Sequence, residues 1–508
     1  MKLLPTKMKA SLLIPILGLC VSSCDMDINI NPNRPTESSP EFLLPPAILK
    51  LADYETVTLN ELGSFFGGYW GKANDITIGG GGATNSYLDM IINYSINDEF
   101  ANNIWENAYT NLYNLKLIED QQLADNPAYA GLAKIMRGWY FLRLVDHYNN
   151  VPFYEASNPA NGTPVYDKGE VVYKEAIELI TAGEQLLATA AAKGGKLPGT
   201  DDILFKGDLI KWRQLGNTVK LRALIRQSEV ASGDYVRQEI SKIEADGLGF
   251  LTFDALVNPG YTTSAGQMNG FWTNFYRTTN DNAVAAYNGY RPTKFLLEKY
   301  KAVDDPRLAA IYVAVDGNYT GVVLGAGNDP TQNYAVTSAF RGPRENAGSP
   351  GGLFKSATQS ALLFSASESY FLQAEAALRG WTNSAGADEL YKKAIQASFN
   401  YIGVATAAQN SYLAQEKVQL ATANDKLTRI IEQKWLALNG IDGAEAWNDY
   451  RRLGIPQAPG SLLVDPTGAT HPIRLRYPAS EVNNNREQVT AQGNIVGTSK
   501  DFKVFWQK

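Results

Sequence analysis

Cysteine and histidine are nearly missing from this 508-residue chain, which has two of each: Cys20, Cys24, His147 and His471. Metal clusters and histidine-based triads therefore have almost no raw material. His147, at the end of a helical pattern in "LVDHYNNVPF", reads as structural. No G-x-G-x-x-G or G-x-S-x-G occurs, and "GGGG" at Gly79–Gly82 lacks the Lys-Ser/Thr of a phosphate-binding loop. Nucleotide binding and serine hydrolysis are thus without support, and no cofactor or metal is expected. Basic runs are short, Arg451-Arg452 being the longest, and the formal charge is −6. A nucleic-acid partner is disfavoured on both counts.

What the chain does have begins with an address label. Lys2, Lys7 and Lys9 precede an apolar run from Ala10 to Leu19, followed by the small residues Ser22 and Ser23. That is the order of an export signal. The run is about half the ~20 residues a membrane-spanning helix needs. "VSSC" (Val21–Cys24) fits a lipobox, whereas "LGLC" would put bulky Leu19 at the cleavage position. Residues 1–23 are therefore read as a lipoprotein signal and Cys24 as the lipid-bearing first residue, giving a stable membrane anchor through several acyl chains. Loss of the three signal lysines takes the mature charge to about −9.

The remaining residues, 44% hydrophobic and 11% aromatic over the whole chain, can bury a large core. Asn, Pro and Ser dominate residues 24–46, which read as a tether and extended segment. Helical periodicity follows at Ile104–Ala124, Ala128–Tyr148, Val171–Ala191 and Asp208–Val230, as two antiparallel pairs. Each pair spans somewhat more than the roughly 34 residues of a tetratricopeptide hairpin. From Gly247 to Gly352 the texture is Gly, Asn, Thr and Tyr, with one periodic stretch at Arg291–Tyr300. Helical patterns resume at Ser360–Arg379, Ala387–Tyr401, Gln409–Leu413, Asp425–Asn439 and Ala444–Leu453. The expected fold is mainly α: one domain over 47–508, with a superhelical scaffold of helical hairpins at about 100–245 and 360–455. A loop-rich irregular subdomain would occupy about 60–95, 246–359 and 456–508. Function is expected on those loops.

Eight blocks then carry a resemblance: "NPNRPT" (Asn31–Thr36), "YFLRLVDHYNNVPFYEA" (Tyr140–Ala156), "GDLIKWRQLGNTVKLRALIR" (Gly207–Arg226), "DDPRL" (Asp304–Leu308), "SESYFLQAEAALRGW" (Ser367–Trp381), "IIEQKWLALNG" (Ile430–Gly440), "EAWNDYRRLGIP" (Glu445–Pro456) and "RLRYPASEVNNN" (Arg474–Asn485). Their order through nearly the whole mature chain resembles the SusD/RagB family of outer-membrane nutrient-binding lipoproteins, SusD-like second branch. The resemblance implies four tetratricopeptide-like hairpins, a glycan ligand, and a TonB-dependent (SusC-like) transporter barrel over which the lipoprotein closes as a lid. It also implies export to the outer face of the outer membrane, which the acidic "DMD" after Cys24 accompanies in such proteins. The blocks themselves have a structural reading. Glu445, Asp449, Arg451 and Arg452 can pair along one helix with Trp447 and Tyr450 inward, and Arg474, Arg476 and Glu481 can fix the tail.

Sugars offer an apolar C–H face to an aromatic ring and hydroxyls at their edges, so a glycan cleft needs exposed Trp or Tyr beside Asn, Asp or Arg. Two stretches supply both: "FFGGYWGKAND", with Tyr69, Trp70, Asn74 and Asp75, and "MNGFWTNFYRTTNDN", with Trp272, Asn274, Tyr276 and Arg277, followed by Tyr287 and Tyr290. Trp70 and Trp272 are the leading candidates. A surface-anchored glycoside hydrolase is the alternative, requiring two converging carboxylates; 52 acidic residues make some such pair inevitable, so their number carries no weight. A lid for a peptide or glycoconjugate would suit the same kind of cleft.

Overall fold

A computed structural model describes residues 39–76, 87–327, 329–343, 352–382 and 385–508. Residues Met1–Ser39 and Pro40–Lys508 form separate units, and the export signal and Cys24 lie outside the described residues. The second unit starts with α1 (Pro40–Asp53), a π-helical turn (Tyr54–Leu59) and α2 (Asn60–Phe66), then β1 (Trp70–Lys72) and α3 (Tyr87–Ile92). Four long helices follow, α4 (Asn102–Gln122), α5 (Pro127–Tyr148), α6 (Gly169–Lys193) and α7 (Leu209–Arg226), and then α8 (Gly233–Glu244). The middle of the chain holds β2 (Ala255–Val257), α9 (Gly270–Phe275), α10 (Ala285–Gly289), β3 (Tyr290–Pro292), α11 (Lys294–Ala302), α12 (Arg307–Ile311) and β4 (Ala361–Phe364). The last elements are α13 (Ala366–Leu378), α14 (Ala387–Ile402), α15 (Thr406–Leu413), α16 (Lys426–Leu438), α17 (Gly443–Leu453), α18 (Ala479–Asn484) and α19 (Arg486–Ala491).

The fold is mainly α, and the pairs α4–α5, α6–α7, α13–α14 and α16–α17 are its hairpins. Three of their helices, α7, α13 and α17, start where short side chains accept from free N–H groups: Asp208 takes Lys211 N (3.1 Å), Ser365 takes Glu368 N (3.0 Å) and Asp442 takes Glu445 N (3.0 Å). α2 and α17 touch backbone to backbone, because a Cβ on Gly63 would stand 2.2 Å from Ala444 N and one on Gly443 2.3 Å from Ser64 N. The structure differs from expectation at the start of the domain, where α1 begins at Pro40 rather than after residue 46. Pro45 and Pro46 sit inside it, yet Leu44, Ala47, Ile48, Leu51 and Ala52 are buried, and that packing outweighs the two lost hydrogen bonds. The tail differs too. From Arg474 onward it lies against the end of α5 rather than on the loop-rich face: Leu475 N donates to His147 O (2.9 Å), Arg474 to Tyr148 O, and Trp506 Nε1 to Asp146 (3.0 Å).

The scaffold is held by a buried network of opposite charges. Arg143 of α5 donates to Glu55, Asp442 and Glu445; Arg226 of α7 also reaches Glu445 (2.5 and 2.6 Å). Lys434 lies 2.9 Å from Asp449, and Arg452 bridges Glu375 and Asp449. The residues of "EAWNDYRRLG" thus pair across helices more than along one. Trp447 is fully buried, as its apolar ring requires, while Tyr450 stays partly exposed against His471 (4.5 Å between ring centres). His147 is buried, with Nδ1 2.7 Å from Arg143 O, and its burial beside Arg451 pushes its pKa down to about 3.

Candidate functional site

Two antiparallel strands place the site. β1 pairs with β3 as Trp70↔Pro292, Gly71↔Arg291 and Lys72↔Tyr290, so the early and mid-chain stretches do converge. The chain then runs out of β1 onto the segment after α12: Asn74 N donates to Gln332 O (3.1 Å) and Asn74 Nδ2 to Asp329 O (3.0 Å). Below them, Val322 N donates to Pro292 O (2.9 Å), and Lys294 N donates to Val322 O (2.8 Å). Gly321 is needed here, since a Cβ on it would lie 2.7 Å from Lys294 N.

The rings ranked first in the sequence face the wrong way for stacking. Trp70 is fully buried, edge-on to Phe65, Phe275 and Phe340 with centres 5.4–6.1 Å apart. Tyr69 is fully buried on Trp435 (4.8 Å), its hydroxyl donating to Trp435 O. Tyr290 is buried, its hydroxyl on Glu61. Trp272 and Tyr276 pack edge-on at 4.6 Å, both buried, and Tyr276 stacks on Phe354 (4.9 Å). The physical reason is shared: a three-residue strand and a one-turn helix cannot close over a core by themselves, so their large apolar rings become that core. As placed, these five rings offer a ligand little or no face.

The polar candidates and one ring lie nearer the surface. Arg277 is part-exposed and donates to Asp281 O (2.6 Å); the Tyr276 hydroxyl raises its pKa. Asn274 is exposed and donates to Gly270 O (2.8 Å). Tyr287, half-buried, donates to Phe340 O (3.1 Å), and burial raises its pKa. Exposed Asp75 accepts Tyr334 N (2.7 Å), and with that bond it presents a ring the sequence reading passed over.

Tyr334 is 41% exposed, with the Arg291 guanidinium under one face, 4.6 Å from the ring centre. Arg291 is itself fixed, donating to Thr337 Oγ1 (3.1 Å) and to the carbonyls of Tyr287 (3.0 Å) and Tyr290 (2.8 Å). Burial lowers its pKa. The result is a part-exposed tyrosine held on a cation, an arrangement that suits a stacking platform. Two residues before it, Gln332 lines a cleft of about 300 Å³, at the small end of ligand pockets, together with Lys294, Lys301, Tyr319, Asp329 and Thr331 among others. Asp329 caps the turn, taking Thr331 N (2.9 Å) and Oγ1 (2.8 Å), and those bonds lower its pKa. The signal that could have found Tyr334 was the one used for Trp70, an aromatic in an Asn-rich irregular stretch, "TQNYAVT".

Among the described residues, the acid trio most like a metal site is Glu368, Asp442 and Glu445, within 4.8 Å of one another and buried. The cations there are the chain's own Arg143, Arg222, Arg226 and Lys434, which hold Glu445 low. No helix among the described residues is long and apolar enough to cross a membrane.

Solved structures share this architecture. A chitin-binding protein superposes with a TM-score of 0.74 at 24% identity, covering 92% of this chain and all of that one. A chitin-binding SusD homologue from Flavobacterium johnsoniae gives 0.72 at 21% identity, covering 91% and 98%. A SusD-like protein from Bacteroides thetaiotaomicron gives 0.72 at 22% identity, covering 92% and 99%. No curated protein matches the chain by sequence. The model of one family, SusD-like_2, described as "Starch-binding associating with outer membrane", matches residues 32–478, and the chain belongs to that family.

Proposed function

We propose that the protein is a cell-surface lipoprotein, anchored through Cys24, that captures an oligosaccharide and delivers it to a TonB-dependent outer-membrane transporter barrel, closing over it as a lid. The observation that carries the binding half is Tyr334, 41% exposed on the Arg291 guanidinium and two residues from Gln332 in the wall of a cleft of about 300 Å³. Starch and chitin, the glycans named for the family and for two structural neighbours, are the first ligands to try. The docking half is supported by the helical side, where α4 exposes Tyr113 and Leu117 one turn apart. The hydrolase alternative would need Asp329 and Glu298, the two carboxylates lining the cleft, to converge on one glycosidic bond.

Calorimetry against malto- and chito-oligosaccharides tests the site. Tyr334→Ala should weaken binding about tenfold, or ~1.4 kcal/mol. Unchanged affinity in that variant would place the ligand elsewhere, and release of reducing ends from a bound oligosaccharide would restore the hydrolase. Cys24→Ala should free the protein from the membrane while Cys20→Ala should not. Mild detergent extraction should bring down a β-barrel transporter in near-equal amount.

A further inference from the structure

Asn269 opens α9 and is fully buried. Its Oδ1 accepts Trp272 N (3.0 Å) as the helix cap, which fixes the way round of the amide, because Nδ2 cannot accept. Nδ2 is left buried with no partner among the described residues. A buried donor without an acceptor is destabilising, and folded proteins rarely leave one. The same side chain lines a cavity of about 20 Å³ between α9, the π-helical turn and the corner that joins α16 to α17. The other polar residues of the wall are Thr56, Asn60, Gln359, Ser360 and Tyr401, and no described residue of it is charged. Asn60 and Gln359 are already engaged. Asn60 Nδ2 donates to Thr56 O and Gly440 O (3.3 Å each) while its Oδ1 accepts Gly443 N (2.9 Å). Gln359 accepts Lys355 N (2.7 Å) and donates to Leu353 O (3.1 Å). Thr56 keeps capacity: Oγ1 donates to Ala52 O (2.8 Å), and its lone pairs can still accept.

That inventory decides the occupant. The open group is an N–H donor, so the occupant must present an acceptor, which a cation does not. An anion would be stripped of water in a wall with no cation of its own; Lys355, 3.6 Å from the centre of the Tyr401 ring, is not part of that wall. A water needs about 10–15 Å³ and two to four polar partners, and a cavity of this size takes one water and no organic molecule. We propose that the cavity is a binding site for a single water molecule, which accepts from Asn269 Nδ2 and donates to Thr56 Oγ1, with the hydroxyls of Ser360 and Tyr401 as further partners. The water ties the start of α9, the helix that carries Trp272, to the π-helical turn, itself held on α5 by the bonds from Arg143 to Glu55 (2.9 and 3.0 Å). The site is separate from the Tyr334 cleft and independent of what that cleft binds.

The test is a crystal structure of the full chain at a resolution that shows ordered water, with a second crystal soaked in sodium bromide. One peak should stand at hydrogen-bond distance, about 2.7–3.2 Å, from both Asn269 Nδ2 and Thr56 Oγ1, and it should carry no anomalous bromide signal. A bromide signal there would make it a halide site, and a cavity without a peak would leave Nδ2 unpaired; either result overturns the proposal. Thr56→Val keeps the side chain's shape and loses its hydroxyl, so the water's occupancy should fall below that in the wild-type crystal. An unchanged peak in this variant would overturn the bridge to the π-helical turn. If the variant does not fold, the wild-type crystals alone decide.

Discussion

Arginines lie over aromatic rings in both the scaffold and the loop-rich face, and two of these arrangements serve opposite ends. In the helical scaffold Arg222 lies between Trp139 and Phe364, 5.0 and 4.7 Å from their centres, and all three are buried. On the loop-rich face Arg291 lies 4.6 Å from Tyr334, but only the arginine is buried. Ring and cation are both consumed by packing in the first case, whereas in the second the cation holds the ring and the ring remains available. Arginine–aromatic pairing is therefore no sign of a site by itself; the burial of the ring decides.

The sharpest way to break this contrast is to strip the scaffold. Glu445 accepts from Arg143 and Arg226, all three nearly inaccessible, so Glu445→Ala leaves the buried Arg226 without its hydrogen-bonded carboxylate, while Arg143 keeps Glu55 and Asp442. Loss of one partner from a buried pair costs about 3–5 kcal/mol, and urea unfolding should show a loss of that size. Trp70→Ala comes next. It empties a site ringed by Phe65, Phe275, Tyr290 and Phe340 and should cost about 3–5 kcal/mol, typical of a core tryptophan. A Trp70→Ala variant that melts normally yet loses ligand would return Trp70 to the binding surface.

That outcome matters because Trp70 marks where the sequence stopped being readable. The long helices were legible: α5 and α14 begin or end within a residue or so of the expected stretches, since their apolar residues repeat with the helical period over three turns or more. α1 was hidden by Pro45 and Pro46, whose usual meaning is a break. At the site, the convergence of the two aromatic stretches was legible, but not which rings point outward. That is set by the pairing of β1 with β3, some 220 residues away in the chain (Trp70↔Pro292), and by the segment around Tyr334 laid across both.

A smaller effect should appear in the pH dependence of stability, where the scaffold buries groups that titrate in the ordinary pH range. His147 titrates near 3 in the fold, lowered by burial, against about 6.5 when unfolded. The unfolded state binds the proton first, so this group's contribution is complete above about 6.5 and is lost as pH falls toward 3. Glu368 is raised to about 7 by burial, from 4.5. There the folded state binds the proton first, so its contribution is complete below about 4.5 and is lost as pH rises through 7. Each slope is limited to about 1.4 kcal/mol per pH unit. His147→Gln should therefore flatten the acid limb of a urea-midpoint profile, and Glu368→Gln the limb between about pH 5 and 7. Profiles parallel to the wild type would mean that neither group titrates as its surroundings require.

The smallest effect on stability is expected at Tyr334, and it is the most informative about function. The Arg291 guanidinium lies over the ring, and the Asp75 bond is to the Tyr334 backbone N–H, which survives any substitution except proline. Tyr334→Ala thus removes one exposed cation–π contact, about 0.5–1 kcal/mol, and opens no cavity. Tyr334→Phe keeps the face and loses only the hydroxyl. If the ring acts by stacking, the phenylalanine variant should bind a neutral oligosaccharide within about twofold of wild type while the alanine variant binds about tenfold more weakly, both with a nearly unchanged urea midpoint. Equal losses in the two variants would instead assign the recognition to the hydroxyl. A fall in stability of several kcal/mol would show that Tyr334 belongs with Trp139 and Phe364 as a packing ring, and the contrast between the two arginine–aromatic pairs would be gone.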